Sequence, residues 1–263
     1  MSPPAKPSSE LLNVPVPGIP KILFFESVAS TNEVAKQYAT GNQQEGVVIV
    51  ADKQTHGRGR HNRTWVSPEG GIYFSVLLRP SFHEYLSLFP LLAAVSVAST
   101  LESYDLQPSI KWPNDVHLQG KKIAGILVES SLQGKKVDYV IVGIGLNVNQ
   151  TAQQLPVDVA ATSLFIELQE KIDRQELLFR ALHEFQQMYT LWKHHKFDDI
   201  VKKWKGKTDT LGKQVSIQTQ SSMLIGTAVD VDTYGRLLLQ AGGQQHVISS
   251  GDCLYLKQKT EEL

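Results

Sequence analysis

Short apolar segments separated by polar or glycine-containing turns recur along most of the chain, and this pattern predicts a series of β-strands. Two longer segments predict helices instead: residues 88–104 are mostly apolar and indicate a buried helix, whereas residues 174–195 repeat their apolar residues at helical spacing. In the second segment, the stripe that includes Leu178, Phe185 and Trp192 is typical of core packing rather than of a cofactor site. The predicted strands of this part of the chain are residues 21–28, 46–54, 71–78, 110–112, 122–130 and 137–146.

Another helix is predicted to begin at Ser30. Residues 30–33 have the form of a capping box, in which the hydroxyl of Ser30 and the carboxylate of Glu33 satisfy free backbone amides. Gly41 is expected to end this helix. Pairs of strands combined with long helices predict an α+β fold, a mixed β-sheet with helices on one face.

The chain divides into three parts. Residues 1–20 are rich in proline and poor in apolar side chains, and we expect a mobile arm or a wrapped extension there. Residues 21–206 hold the strands and helices described above and form the main domain. Residues 207–263 consist of short strands between turn residues, a pattern that predicts a small β-barrel.

Composition narrows the classes of function. Basic and acidic residues are equal in number, 26 of each, so no overall positive field would attract nucleic acid or a membrane surface. The single cysteine, Cys253, has no partner for an internal disulfide and favours a reducing compartment. The chain shows no signal peptide, and no apolar run reaches the roughly 20 residues that a membrane helix needs. We therefore expect a cytoplasmic protein.

An arginine-rich segment, residues 57–65, lies between two predicted strands and is called the arginine loop below. Its glycines let backbone amides approach an anion, and its arginines offer forked donors to a phosphate or a carboxylate. A solvated loop that contacts RNA is the alternative, but the flanking apolar strands and Trp65 anchor this loop at both ends. The loop lacks the spacing of a Walker motif, so a bound nucleotide would have to be held in another way.

Residues 111–115, with the sequence KWPND, form a second polar segment at the end of a predicted strand. Pro113 stops the strand, so Asn114 and Asp115 would emerge where short polar side chains often meet ligands. A simple turn is the alternative, because both residue types favour turns. Asp115 is also a candidate ligand for Mg²⁺ beside nucleotide phosphates.

Two other segments carry candidate site residues. If Lys122, at the start of an apolar strand, points inward, its ammonium group would offer a compact charge to a phosphate. On the outer face of the hairpin it would have no such role. In residues 143–149, two glycines allow a ligand to approach the backbone, and Asn147 would either contact a nucleotide or cap a turn.

The motifs that are absent also restrict the chemistry. Zinc-site spacings and the GxSxG and Ser-x-x-Lys nucleophile signatures do not occur in the chain. A set of arginines, a lysine and asparagines instead suits the positioning and charge neutralisation that nucleotidyl transfer requires.

Taken in order, these segments resemble the biotin–protein ligases. The resemblance implies a class II synthetase-like catalytic domain, a mixed sheet with helices, in residues 21–206, and an SH3-like domain in residues 207–263. The resemblance extends over about residues 22–256, and the matching segments are residues 30–32, Gln54 with the arginine loop, and residues 111–115, 120–129 and 143–149.

The resemblance also implies roles for individual residues. Lys122 and Arg60 are the implied catalytic residues, and Mg²⁺ is assigned to Asp115. The implied biotin-binding residues are Ser30, Thr31, Asn32, Gln54, Gly57, Arg58, Gly59, Arg60, Lys122 and Gly125. The implied ATP-binding residues are Arg60, Arg63, Trp65, Lys111, Asn114, Lys122 and Asn147. The family's aromatic contact to adenine finds no match near residues 160–164.

The implied reaction has two steps. Biotin and ATP form biotinyl-5′-AMP and pyrophosphate, and a lysine of a biotin carboxyl carrier protein or domain then displaces AMP. Regulatory members of the family carry an N-terminal DNA-binding domain, and residues 1–20 are too short to form one, so the resemblance is to the short form without a DNA partner. The sequence is compatible with a monomer or a homodimer.

Three other functions compete with this interpretation. A lipoate or octanoate ligase would share the fold, although KWPND and the arginine loop followed by Trp65 favour biotin. A non-catalytic biotin-binding regulator would be expected to have lost Lys122 or Arg60, and both are present. An RNA-binding protein would be expected to show a basic field and a stacking motif, which this sequence lacks.

Overall fold

An eight-stranded mixed sheet forms the centre of the main domain in this computed structural model, which describes residues 6–12, 14–41, 43–219 and 222–256. The strands are β1 (Ser9–Leu12), β2 (Lys21–Val28), β3 (Val47–Gln54), β4 (Ile72–Leu78), β5 (Pro108–Lys111), β6 (Asp115–Leu118), β7 (Lys121–Gln133) and β8 (Lys136–Leu146). Their spatial order is β1-β2-β3-β4-β8-β7-β6-β5. Only β2 and β3 pair in parallel, because α1 connects them, and the other neighbouring pairs are antiparallel.

Within the described ranges, five α-helices accompany this sheet, and they cover both of its faces. Side chains alternate along a strand, so Val48 and Val76 belong to the core that holds α2 and α4, whereas Ile49 and Leu77 pack with α1. Helix α2 lies directly on the sheet beneath α4 and α5, and therefore nearly all of its residues are buried. The helices are α1 (Thr31–Thr40), α2 (Phe89–Glu102), α3 (Leu164–Leu168), α4 (Arg174–Lys193) and α5 (Phe197–Lys205).

The predicted α+β class is confirmed, and the structure refines it. The two long helices share one face of the sheet, as expected, while the short helix α1 covers the other. The stripe on α4 is core, since Leu178, Phe185 and Trp192 are all buried. Helix α5, which the sequence analysis did not identify, buries Ile200 and Trp204 against the same core.

The start of α1 differs from the prediction in one respect. Ser30 is the N-cap residue, but its side chain makes no capping hydrogen bond. The carboxylate of Glu33 is paired with Lys36 and Arg58 instead of with the helix start. The predicted capping box is therefore wrong, although the helix begins and ends where expected. Gly41 ends the helix with an ordinary negative φ of −77°.

The proline-rich N-terminal segment packs on the main domain over its described length. Strand β1 pairs antiparallel with β2 at the edge of the sheet, and Val14, Val16 and Ile19 are buried in the main core. This part of the predicted arm is thus a wrapped extension rather than a mobile arm. Residues 1–5 and Asn13 lie outside the described residues.

The C-terminal part of the chain folds as a five-stranded antiparallel sheet, in the order β12-β11-β10-β9-β13. The predicted boundary near residue 206 falls between α5 and β9. The domain docks on the main domain through the turn at Tyr234 and Gly235: Tyr85 stacks on Tyr234 with ring centroids 4.6 Å apart, and Trp112 Nε1 donates to the Gly235 carbonyl at 3.1 Å. The strands are β9 (Gln214–Gln218), β10 (Met223–Val231), β11 (Leu237–Ala241), β12 (Gln244–Ile248) and β13 (Asp252–Tyr255).

Among the described residues, no helix combines the length and the apolar character that crossing a membrane requires.

Candidate functional site

A cavity of about 920 Å³ lies on the face of the sheet that carries α1, bordered by the arginine loop and by the C-terminal domain. Its volume is typical of pockets that enclose small molecules. Every predicted site residue except Gly57 lines it. These residues are Ser30, Thr31, Asn32, Gln54, Arg58, Gly59, Arg60, Arg63, Trp65, Lys111, Asn114, Asp115, Lys122, Gly125 and Asn147.

Gly57 is not among the residues that line the cavity. Its carbonyl accepts a hydrogen bond from the backbone N–H of Trp65 at 2.9 Å. A Cβ at this position would lie 2.3 Å from the Trp65 carbonyl oxygen and 2.5 Å from Ser67 Oγ. Glycine is therefore required here so that the two ends of the arginine loop can approach each other.

Three glycines on adjacent strands form the floor of the cavity. Gly125 on β7 pairs with Gly145 on β8, and Gly143 lies two residues further back on the same face. A Cβ on Gly143 would lie 2.1 Å from Asn32 Oδ1, and one on Gly145 would lie 2.3 Å from Trp65 Nε1. The floor thus lets Asn32 and Trp65 lie directly against the sheet backbone.

One side of the cavity, called the neutral wall, consists of uncharged polar side chains at the start of α1 and at the end of β3. Gln54 Oε1 accepts from the Thr31 backbone N–H at 2.8 Å, and Gln54 Nε2 donates to Ser67 Oγ at 2.9 Å. The hydroxyl of Ser75 lies 2.7 Å from Thr31 Oγ1 and 2.6 Å from Asn32 Oδ1. Because these bonds join α1, β3 and β4, the polar groups are held in one arrangement.

Glu129, which was not predicted as a site residue, holds the neutral wall in place by hydrogen bonding. It lies on the same face of β7 as Gly125, and its carboxylate accepts from Asn32 Nδ2 at 2.7 Å and from Lys36 Nζ at 2.8 Å. Arg58 Nη2 adds a third contact at 3.0 Å. Burial acts to raise the pKa of Glu129, but hydrogen bonds from Lys36 and Asn32 outweigh it, and the pKa is lowered overall.

The opposite side, called the charged wall, carries the cations Arg58, Arg60, Arg63, Lys111 and Lys122. Carboxylates neutralise three of them: Arg58 pairs with Glu33 and Glu129, Arg63 with Asp252, and Lys122 with Asp115.

Arg60 and Lys111 contact uncharged groups instead. Arg60 Nη1 donates to Asn114 Oδ1 at 3.3 Å and to the Gly251 carbonyl at 3.2 Å. Burial lowers the pKa of the Arg60 guanidinium, although the charges of Asp252 and Asp115 act to raise it. Lys111 Nζ lies 4.9 Å from the centre of the Tyr255 ring. Both charges therefore remain available to an anion in the cavity.

Lys122 enters the cavity because of an irregularity in the sheet. Val116 pairs with Ala124, but the next residue, His117, pairs with Lys122, so Ile123 is an extra residue in β7. This bulge turns Lys122 toward the cavity, where its Nζ lies 2.7 Å from Asp115 Oδ1 and 5.3 Å from the centre of the Trp65 ring. The lysine beside it has a different environment, with Lys121 Nζ 3.9 Å from Glu167 Oε1.

The asparagines of the site also have defined partners. Asn114 Nδ2 donates to the Ile126 carbonyl at 2.6 Å, which leaves its Oδ1 facing Arg60. Asn147 is buried, and its Nδ2 donates to the Thr162 carbonyl at 2.9 Å. This bond holds the segment that follows residue 156 over the cavity, where the backbone of Lys122 also pairs with that of Ala160 and Thr162.

His117 lines the cavity beside Asp115 and was not predicted as a site residue. Burial lowers the pKa of His117 to about 4, so its imidazole is neutral near pH 7. The sequence could have indicated this position, because His117 is two residues from Asp115 on the same strand and strand residues at that spacing share a face.

Comparison with known proteins agrees with this architecture. Residues 24–147 match the Biotin/lipoate A/B protein ligase family, and residues 210–255 match the Biotin protein ligase C terminal domain. The fold and these matches define a ligase of the biotin/lipoate class.

Individual similar proteins show which ligases within this class the chain resembles. The bifunctional ligase/repressor BirA of Bacillus subtilis is 37% identical over 88% of this chain and 73% of its own length. The biotin–[acetyl-CoA-carboxylase] ligase of Mycobacterium tuberculosis is 34% identical over 87% of this chain and 86% of its own. The solved structure of the Aquifex aeolicus biotin protein ligase in complex with biotin and ATP has a TM-score of 0.78 and 34% identity, covering 90% of this chain and 98% of that one. The chain belongs to the biotin protein ligase family and is accordingly an enzyme.

Proposed function

We propose that the protein is an ATP-dependent biotin–protein ligase that forms biotinyl-5′-AMP and then transfers biotin to a lysine of a carrier protein. The observation that carries this proposal is the composition of one cavity, which combines the neutral wall, the charged wall and Lys122. The similar Aquifex aeolicus enzyme has biotin and ATP bound, and the Mycobacterium tuberculosis relative is named for acetyl-CoA carboxylase. We infer the same substrates, and a biotin carboxyl carrier protein as acceptor.

Biotin is proposed to bind against the neutral wall. The ureido ring of biotin has two N–H donors and one carbonyl acceptor, which must be hydrogen-bonded when buried. Ser30, Thr31, Asn32 and Gln54 offer hydroxyl and amide groups of both kinds; Ser75 orients Thr31 and Asn32, and Ser67 orients Gln54. The side chain of Leu127 and the exposed backbone of the glycine floor line the same cavity and suit the rest of the molecule.

Adenylate formation is proposed to take place at Lys122. A carboxylate oxygen of biotin attacks the α-phosphorus of ATP, a new oxygen–phosphorus bond forms, and the bond to the β-phosphate oxygen breaks so that pyrophosphate leaves. The two reactants are both anions and repel each other. The ammonium group of Lys122 reduces that repulsion, and Arg60 together with Arg63 and Lys111 stabilises the charge on the phosphates.

Asp115 is a candidate ligand for Mg²⁺ with the nucleotide. Within the described part of the chain, no group of three or more His, Cys, Asp or Glu side chains is placed to hold a metal ion. A single carboxylate nevertheless suits Mg²⁺, which usually takes one or two carboxylates and completes its coordination with phosphates and water. Asp115, with the amide oxygen of Asn114 beside it, fits this donor set, and the ion would neutralise phosphate charge there.

In the second step, the amine of the acceptor lysine attacks the acyl carbon of biotinyl-5′-AMP. The carbon–oxygen bond to AMP breaks, AMP leaves, and the amine loses a proton as the amide forms. Water would hydrolyse the same mixed anhydride, so the arginine loop is proposed to exclude water until the acceptor binds. The cytoplasmic location and the oligomeric state stay predictions.

The test is pyrophosphate exchange into ATP by the purified protein with Mg²⁺, offered biotin, lipoate or octanoate separately. Exchange with biotin alone is the expected result. Exchange with lipoate or octanoate would mean that the mechanism is as proposed but that the substrate is not biotin. The absence of exchange with all three, from folded protein, would contradict the catalytic proposal and favour a biotin-binding regulator. The acceptor is tested in the same preparation by transfer of labelled biotin to a biotin carboxyl carrier domain.

A further inference from the structure

The second half of the arginine loop is held by the C-terminal domain. The carboxylate of Asp252, at the start of β13, pairs with Arg63 Nη2, and its Oδ1 lies 3.8 Å from His61 Nε2. The carbonyl of the preceding residue, Gly251, accepts from Arg60 Nη1 at 3.2 Å. The first half of the loop is held separately, by the pairing of Arg58 with Glu33 and Glu129 of the main domain.

The backbone between Arg60 and Arg63 makes such support necessary. His61 and Asn62 have φ values of 52° and 59°, in the left-handed region that is unfavourable for residues other than glycine. A conformation of this kind persists only where the surrounding structure maintains it. Within the loop, Gly59 N–H donates to the Arg63 carbonyl at 2.7 Å and Arg63 N–H to the Arg60 carbonyl at 3.1 Å, while Trp65 N–H and the Gly57 carbonyl join its two ends at 2.9 Å.

We propose that Asp252 is a positioning residue for ATP: it holds Arg63 directly, and with the Gly251 carbonyl it keeps Arg60 over the nucleotide half of the cavity. The C-terminal domain then completes the ATP site of a cavity whose other walls belong to the main domain. The ATP role rests on the proposed function, whereas the holding of the loop does not. Asp252 has no contact with the neutral wall, so biotin binding alone should not depend on it.

The carboxylate can be removed without disturbing the domain that carries it. The backbone of Asp252 pairs with Gln218 in the sheet, and the core contact at this point is made by the next side chain, Cys253. The side chain of Asp252 is directed at the loop and is only 17% exposed. Asp252→Asn keeps the shape and removes the charge.

The first experiment measures the kinetics of biotin-dependent pyrophosphate exchange. In Asp252→Asn we expect the KM for ATP to rise about tenfold, because ATP must itself order the loop, while the Kd for biotin without ATP stays within about twofold. Asp252→Glu should recover much of the ATP affinity. The matched control is Asp230→Asn, which removes a different ion pair between the C-terminal domain and the main domain, with Lys205 of α5, and should match the wild type.

A second readout does not depend on activity. Trypsin cleaves after arginine only where the backbone can open, so we expect cleavage after Arg60 and Arg63 in the ligand-free protein to be about five- to tenfold faster in Asp252→Asn than in the wild type or in Asp230→Asn. Arg63→Ala should raise the KM for ATP by itself, and adding Asp252→Asn to it should raise the KM little further, since the pair acts as a unit.

The outcomes separate the two proposals. If trypsin cleavage and the KM for ATP are both unchanged in Asp252→Asn, Asp252 does not position the loop. A lower KM for ATP would also overturn the inference, because Asp252 would then compete with the phosphates for Arg63. If the wild type shows no exchange but Asp252→Asn is cleaved faster, the loop-holding role of Asp252 stands and the proposed function fails.

Discussion

The two walls of the cavity are constructed in different ways. Thr31 and Asn32 of the neutral wall are 4% and 3% exposed, and their hydrogen bonds join elements that are adjacent in the sheet core. In the charged wall, the side chains of Arg58 and Arg63 are 40% and 66% exposed, and each depends on carboxylates from distant parts of the chain. The neutral wall is therefore part of the core, while the exposed arginines of the charged wall belong to a loop that ion pairs hold in place.

From this difference we infer that the neutral wall recognises the ligand and that the charged wall serves the reaction. Buried neutral hydrogen bonds give a fixed shape, which suits recognition of an uncharged ring such as a ureido group. Exposed ion pairs contribute little stability each and exchange partners readily, which suits a loop that must accept phosphates and later release a product. The experiments below test this comparison, beginning with the largest expected effect.

Lys122→Ala is expected to lower the rate of adenylate formation by at least about 100-fold, because it removes the ammonium group proposed to reduce the repulsion between the two reacting anions. Biotin binding should remain measurable, since the neutral wall is unchanged. The neighbouring Lys121→Ala is the matched control and should stay within about twofold, as is usual for an exposed side chain. Single-turnover formation of biotinyl-5′-AMP measures the effect. An unchanged rate in Lys122→Ala would remove the role assigned to it.

Gly143→Ala should damage the neutral wall selectively. The added Cβ would lie 2.1 Å from Asn32 Oδ1, so Asn32 must move and its contacts with Ser75 and Glu129 are lost. We expect the Kd for biotin to rise about 10- to 100-fold, the equivalent of one to three kcal/mol for buried polar groups left without partners. Gly206→Ala is the control, because its Cβ would meet nothing closer than 3.5 Å. Calorimetric titration gives the Kd, and equal values in the two variants would contradict the rigid-wall interpretation.

Salt concentration should affect ligand binding at the charged wall more than at the neutral wall, and this needs no mutation. Raising NaCl from about 0.05 M to about 0.5 M shortens the screening length severalfold, so we expect the KM for ATP to rise about threefold or more. The Kd of biotinol, which replaces the carboxylate of biotin with an alcohol, should change by less than about twofold because its contacts are neutral. Comparable salt effects on both ligands would mean that the walls do not differ as proposed.

Cys253 reports on the docking of the C-terminal domain beside the charged wall. Burial raises the pKa of this thiol to about 11, so at pH 8 only about 0.1% of it is thiolate. Alkylation by iodoacetamide should therefore be about two orders of magnitude slower in the native protein than in the denatured chain, and should accelerate about tenfold per pH unit up to pH 11. Because the chain has a single cysteine, mass spectrometry gives the rate directly. Equal native and denatured rates would show that the domain opens freely.

Local patterns in the sequence were sufficient for much of the fold and brought most of the candidate site residues to one cavity. Alternating and helical apolar spacing predicted the strands β2, β3, β4, β7 and β8 and the helices α1, α2 and α4, because each pattern depends on neighbours within a few residues. The segments singled out in the sequence contained most of the residues that line the cavity, but not His117 or the lining residues of segments 156–161 and 252–254. Local patterns did not indicate β1, β6, α3 or α5. Of these, β1 and α5 are stabilised by packing on the rest of the domain.

The tertiary structure decided which side chains reach the cavity and what holds them there. Strict alternation would place Lys121, rather than Lys122, on the same face as Gly125, and only the bulge at Ile123, seen when β6 pairs with β7, reverses this. The contact between Arg63 and Asp252 likewise joins residues far apart in the chain. The sequence alone determined the α+β class and the set of candidate polar segments, since short-range periodicity specifies both. Register and long-range ion pairs were decided by the folded chain, because they depend on which distant segments pack together.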